Sequence, residues 1–366
     1  MAISTSVTAA SDVKIGILGE TAFGTALDAS SNDSTNYRTL PLVTATKPTF
    51  NITRESRLLS GRGNVKNAAD TIITSKNGTV TTPFDFIATP ELLLQHLAMV
   101  TNTYNADGSN VYTVEVDGSN NSDSVGGSIS SKIPHTVNLA FTTGVAASGI
   151  TIPGNTVSDL SISGDYGTNG GNLTMSGNYF SGFANAPSVG ATGSHLEQTY
   201  DGTWVYPDKG EFFNIGSLST KQLDCDSTSN TQDMILKSFN LNIANSVNRI
   251  GSNTDGNAEG YAFPEYTVSG DITLKYDTEF SLISGANVVQ SFLDGNTVSL
   301  LLKFGDGTVS SVSEMNILAE CQVTGDPSND MSENGVYWTI PFECVQNSST
   351  EALKISLFSD TAIGSM

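Results

Sequence analysis

Apolar residues recur at every second position in stretch after stretch of this chain. The pattern is plain at 80–86 (VTTPFDF), 111–116 (VYTVEV), 137–141 (VNLAF), 160–163 (LSIS), 173–176 (LTMS), 239–243 (FNLNI) and 272–276 (ITLKY). A period of two with β-branched and aromatic residues marks half-buried antiparallel strands, one face packed inward and the other wet. Gly, Asn, Asp and Ser fill the intervening turns, where they supply positive φ or local side-chain hydrogen bonds. The prediction is a mainly β protein, an antiparallel β-sandwich or barrel. At 366 residues the chain is long enough for one large β domain or two smaller ones.

The middle of the chain reads as if written twice. Residues 45–99 run through ATKPTFNITRES, a Gly/Arg turn (SGRGN), TIITSKNGTVTTPFDF and then TPELLLQHLAM; residues 235–293 run through ILKSFNLNIANSVN, a turn (RIGSN), YTVSGDITLKYDTEF and SGANVVQSFL. Phe50 answers Phe239 and Gly61 answers Gly251 at an offset of about 190 residues, as a duplicated strand–turn–strand–helix unit would give. The expected organisation is an N-terminal arm with a short strand (1–39), a first β unit (40–195), a connecting β segment (196–234) and a second β unit (235–366), each half with one short flanking helix.

The first helix is expected over 89–100. Thr89 can cap it, Pro90 suits the first helical position, and Glu91 complements the helix dipole. Leu93, Leu97 and Val100 then share one face, which leaves His96 on the polar side. A second helix is expected over 286–293, ended by Gly295 in the left-handed cap.

Net charge is −21, from 16 basic and 37 acidic residues. Such a surface repels phosphate and does not bind nucleic acid by counterion release. The three histidines, His96, His135 and His195, lack metal-ligand spacing, and no GxSxG elbow is present. Acidic turns at 224–226, 305–307 and 326–330 match no EF-hand or RTX pattern and read as solvated turns. The chain is therefore read as no enzyme and as carrying no cofactor. Cys225, Cys321 and Cys344 are odd in number and suggest small buried residues in a reducing compartment. The N-terminus reads as no signal peptide, and no apolar run is long enough to span a bilayer.

Five arginines serve the whole chain, and Arg54, Arg57 and Arg62 lie close together, followed by Lys66 and Lys76. A positive loop on so negative a protein is suited to meet carboxylates of another copy, which the guanidinium fork binds bidentately. Arg54, Arg57, Arg62 and Lys66 are thus the candidates for subunit contact.

The strand and turn at 14–26 (KIGILGETAFGTA), the KPTFN strand, the SGRGN loop, the TPELLL helix and the close at 352–358 (ALKISLF) follow one another in an order similar to that of the tail tube proteins of long-tailed bacteriophages. Residues 14–26 resemble their opening strand and E-x-x-F/Y-G-T turn. Residues 237–243 and 266–273 resemble their later strand pair, and 352–358 (ALKISLF) their final strand. The segment at 196–235 departs from the family pattern. The resemblance implies a virion protein, assembled in the host cytoplasm, that forms rings of six chains, or of three doubled chains, stacked into a tube. Its partners would be further copies of itself and the tape-measure, distal tail and terminator proteins, with DNA passing through without sequence-specific binding and no membrane involved. Channel-lining candidates are Asp85, Glu115, Asp271, Asp277 and Glu279. Alternative readings are another virion protein of related fold, such as a tail terminator or decoration protein, and a secreted acidic adhesin or sugar-binding β-sandwich.

Overall fold

The computed structural model describes residues 13–20, 22–25, 38–41, 47–52, 54–56, 71–73, 78–100, 103–106, 111–116, 135–141, 148–184, 188–190, 212–224, 232–233, 235–264, 266–275, 293–305, 309, 314–325, 328–333, 335–346 and 351–358. In chain order these form β1 (Val13–Gly19), β2 (Arg38–Thr39), β3 (Thr49–Asn51), β4 (Arg54–Ser56), β5 (Thr71–Ile73), β6 (Thr79–Ile87), α1 (Pro90–Val100), β7 (Thr103–Ala106) and β8 (Val111–Val116). Next come β9 (His135–Phe141), β10 (Ser148–Asp165), β11 (Thr174–Ser181), β12 (Ser188–Gly190), β13 (Leu218–Asp224), β14 (Gln232–Asp233), β15 (Leu236–Asn245), β16 (Asn248–Ile250) and β17 (Gly260–Ala262). The last are β18 (Tyr266–Lys275), β19 (Thr297–Phe304), β20 (Met315–Val323), β21 (Ser328–Glu333), β22 (Gly335–Cys344) and β23 (Leu353–Phe358). Every stretch read from its alternation as a strand falls on one of these, with Leu173 lying just before β11 and Tyr276 outside the described residues.

All the pairings among the described residues are antiparallel, and all but the two-stranded ribbons β4/β5 and β16/β17 join into one branched sheet folded as a sandwich. The first layer runs β3–β6–β11–β10–β15–β18–β22, with β21 beyond β22. The second runs β14–β13–β19–β20–β23–β8–β7. Both layers mix strands from early and late in the chain. They meet at a corner, where residues 321–323 of β20 leave β23 and pair with β22. Cys321 and Cys344 oppose each other there as free thiols, their Sγ atoms 3.9 Å apart and buried. The first part of β10 carries a side sheet through β9, β1 and β2.

Alternation dictates the core. Phe84, Phe86, Leu160, Ile162, Met175, Leu241, Ile243, Ile272 and Leu274 are buried from the first layer, and Leu300, Leu302, Met315, Ile317, Ile355 and Leu357 from the second. Phe304 meets Phe213 at 5.9 Å and Phe239 at 6.3 Å between ring centroids. Two glycines relieve the crowding. Gly177 lies between Leu160 and Phe84 across three strands, and Gly270 lies between Leu241 and Phe342 in the same way on the far side of the β10/β15 seam. A Cβ at either glycine would strike a neighbouring strand's carbonyl, and a phenylalanine ring covers the vacant space.

The two sequence-similar stretches both form hairpins with a small ribbon at the tip, β3/β6 with β4/β5 and β15/β18 with β16/β17. Thr89 caps α1, its hydroxyl accepting from Leu92 N at 3.4 Å and its carbonyl from Leu93 N at 2.8 Å. The helix packs against β10, β8 and β23 and fills the open side of the sandwich. It is buried from Leu92 to Val100, so His96 does not lie on a polar side. Its ring sits among Phe84, Phe86 and Tyr179, a burial made tolerable by two hydrogen bonds. Of the second expected helix, only its end is described: Leu293 and Asp294 are helical and Gly295 takes φ +67°.

The E-T-A-F-G-T turn is a clamp. Glu20, 6% exposed, accepts from Gly24 N at 2.8 Å and from Gly154 N at 2.7 Å, fixing the end of β1 to a bend in β10. Phe23 packs edge-on against Phe183 and Tyr261 at 5.2 and 5.1 Å. Gly24 and Gly154 both have positive φ, and a side chain at either would run into the Phe183 ring.

Candidate functional site

The outward face of the first layer is the most distinctive surface of the described protein. Directly opposed residues of an antiparallel pair share a face, so the registers define rows across the strands. One row reads Asp85–Ser176–Ser161–Asn242–Ser269–Glu343. The next reads Ile87–Thr174–Ser163–Asn240–Asp271–Pro341. On the other side lies Pro83–Asn178–Asp159–Ala244–Thr267. These rows hold the carboxylates of Asp85, Asp159, Asp271 and Glu343 and no lysine or arginine.

Small polar side chains on this face bond to one another. Ser161 donates to Asn240 Oδ1 at 2.7 Å, and the hydroxyls of Ser163 and Thr174 lie 3.0 Å apart. Asn178 donates to both oxygens of Asp159 at 3.0 Å, joined by Ser158 at 2.8 Å. The Thr273 and Thr339 hydroxyls pair at 3.0 Å. Burial holds the Asp271 carboxyl above its ordinary value, partly offset by a hydrogen bond from Asn240. The side-chain donors of Ser158, Ser161 and Asn178 are thus engaged laterally, within the sheet face.

Two of the sequence candidates, Asp85 and Asp271, lie on this face in adjacent rows, with β11, β10 and β15 between them. Glu115 does not: it lies on β8 in the second layer, where Lys354 bonds it at 2.7 Å. Asp277, Glu279, Arg57, Arg62 and Lys66 lie outside the described residues, and of Arg54 only the backbone is described, in β4 opposite Ile73. Sequence reasoning missed Asp159 and Glu343. Asp159 lies two residues before Ser161 in the alternating run, so parity alone assigns it to the wet face; Glu343 follows the inward Phe342 in the same way.

Among the described residues no three His, Cys, Asp or Glu side chains gather into a metal-holding group, and no helix is long and apolar enough to cross a membrane. A scan against protein-family models and a search of curated proteins both return no match.

Proposed function

We propose that this chain is a structural subunit of a phage tail tube, with the outward face of its first layer turned to the channel. One observation carries the reading: a sheet face, two rows of it running from β6 to β22 and a third from β6 to β18, that presents carboxylates and no lysine or arginine in those rows. A wall of that kind repels DNA phosphate. With the charges screened over about 8 Å at physiological salt, the repulsion acts only near the wall and keeps a passing duplex from sticking. The lateral hydrogen bonds of Ser161 and Asn178 serve the same end, because a donor that is already engaged does not grip phosphate oxygens. The order of the E-T-A-F-G-T, KPTFN, TPELLL and final-strand motifs supports the same family.

On this reading the protein performs no catalysis. Subunits close into rings, removing the sheet edges that otherwise invite aggregation. A ring holds six chains, or three if the paired hairpins reflect a doubled tube-forming unit. The rings stack into a tube in the virion, bounded by tape-measure, distal tail and terminator proteins. Electron microscopy of the purified, concentrated protein tests this. Hollow tubes of uniform bore are expected; a species that stays monomeric at high concentration would refute it.

A further inference from the structure

Beyond the polar rows, the sheet ends in a cleft of about 760 Å³ between the strand ends of the first layer and β13 of the second. Three lysines line it, Lys221, Lys237 and Lys275, on a chain that carries −21 overall. Among the described residues neither Lys221 nor Lys275 is ion-paired. Lys237 rests 4.6 Å above the Tyr337 ring, which holds its ammonium in place. Two apolar surfaces complete the cleft: Ile235 is 54% exposed and Tyr166 47%.

We infer that this cleft is a self-association site that receives a carboxylate-bearing segment of a second copy of the chain. Two bodies of the same strong negative charge repel unless a cationic patch on one meets carboxylates on the other. The cleft provides that patch, and 37 acidic residues provide the complement. Exposed Ile235 and Tyr166 add apolar contact beside the charges, the mixture that an interface core favours. Strand addition is not the mode of binding, because the backbone here is already engaged: Lys275 N donates to Ile235 O at 2.8 Å and Tyr166 N to Lys237 O at 3.3 Å. Recognition therefore falls to side chains. A nucleic acid is the poorer occupant, since Asp165 lines the cleft and the next stretch of sheet carries Asp271. A polyanion would run from the lysines straight onto carboxylates, whereas a short acidic segment ends inside the cleft.

The inference does not depend on the tube. Sedimentation velocity of the full chain over a concentration series, at low and at raised salt, tests it. Wild type should associate, more weakly as salt rises, and Lys221→Glu with Lys275→Glu should weaken association by about tenfold or more while circular dichroism stays native. The conservative pair Lys221→Arg with Lys275→Arg should retain it, and Ile235→Glu, at an exposed position, should weaken it independently. Undiminished association of the charge-reversed and Ile235→Glu proteins, or a wild type monomeric throughout, would overturn the inference. So would binding of a DNA oligonucleotide or inorganic phosphate that the charge reversal abolishes while self-association persists. Unaltered tubes from the reversed variant would sink the cleft and leave the tube standing. Salt-sensitive dimers from wild type that never form tubes would do the opposite.

Discussion

His96 Nε2 lies 2.6 Å from the hydroxyl of Tyr179, a bond that ties α1 to β11 through the middle of the core. The other ring nitrogen lies 2.7 Å from the Leu92 carbonyl. With Nδ1–H donating to that carbonyl, Nε2 accepts from the tyrosine, and the neutral ring is fully satisfied. Burial also pushes the Tyr179 phenol well above its usual value, so it remains a donor. Tyr179→Phe strands a buried acceptor and should cost about 1–3 kcal/mol. Urea denaturation of Tyr179→Phe, His96→Phe and the double variant reads the coupling. Costs that simply add would mean the bond contributes nothing of its own.

The Glu20 clamp should be worth more than an ordinary surface carboxylate. Glu20→Ala removes an anion that satisfies two backbone N–H groups, one on the turn and one on β10. The expected loss is about 1.5–3 kcal/mol for a charge-assisted contact. Gly24→Ala should destabilise as well, since the new methyl meets Phe183 at a left-handed backbone position. Thermal melts indistinguishable from wild type for both variants would show that the turn does not hold β1.

Arg249 makes the corresponding tie for the β16/β17 ribbon. Its guanidinium donates to the carbonyls of Gly78 at 2.8 Å, Gly256 at 2.7 Å and Gly251 at 3.2 Å, joining that ribbon to the start of β6. Arg249→Ala should lower stability by about 1.5–3 kcal/mol and speed amide exchange around residues 248–262. Lysine should rescue it only in part, because one ammonium cannot reach acceptors spread over a planar fork. Full rescue by lysine would contradict the geometry.

Asp271 gives the pH prediction. Its carboxyl titrates above the ordinary aspartate value of 3.8 because burial disfavours the charged form. A raised folded-state value means the stabilisation is present below the unfolded-state value and is lost as pH rises through the folded-state one. Asp271→Asn should therefore be more stable than wild type at neutral pH, with the difference shrinking toward zero in acid below the ordinary value. A variant less stable at pH 7 would mean that the contact from Asn240 outweighs the burial.

The strand content was legible because alternation is local: each run carries its own parity, and parity alone assigns Asp85 and Asp271 to a wet face. What lay hidden depends on partners far away in sequence. His96 looked polar by type, and only Tyr179, 83 residues on, makes its burial tolerable. Glu115 had the right parity but the wrong layer, since nothing near β8 reveals that β23 flanks it and brings Lys354 alongside. The lysine cleft draws on β13, β15 and β18, whose ends the topology gathers but whose local sequences do not mention one another.

The most direct test of the whole account is a cryo-electron microscopy reconstruction of the assembled protein at side-chain resolution. It should show a hollow tube whose bore is walled by β6, β11, β10, β15, β18 and β22, with Asp85, Asp159, Asp271 and Glu343 facing the lumen. A reconstruction that buries this face between subunits, or turns it to the outside of the particle, would contradict the account.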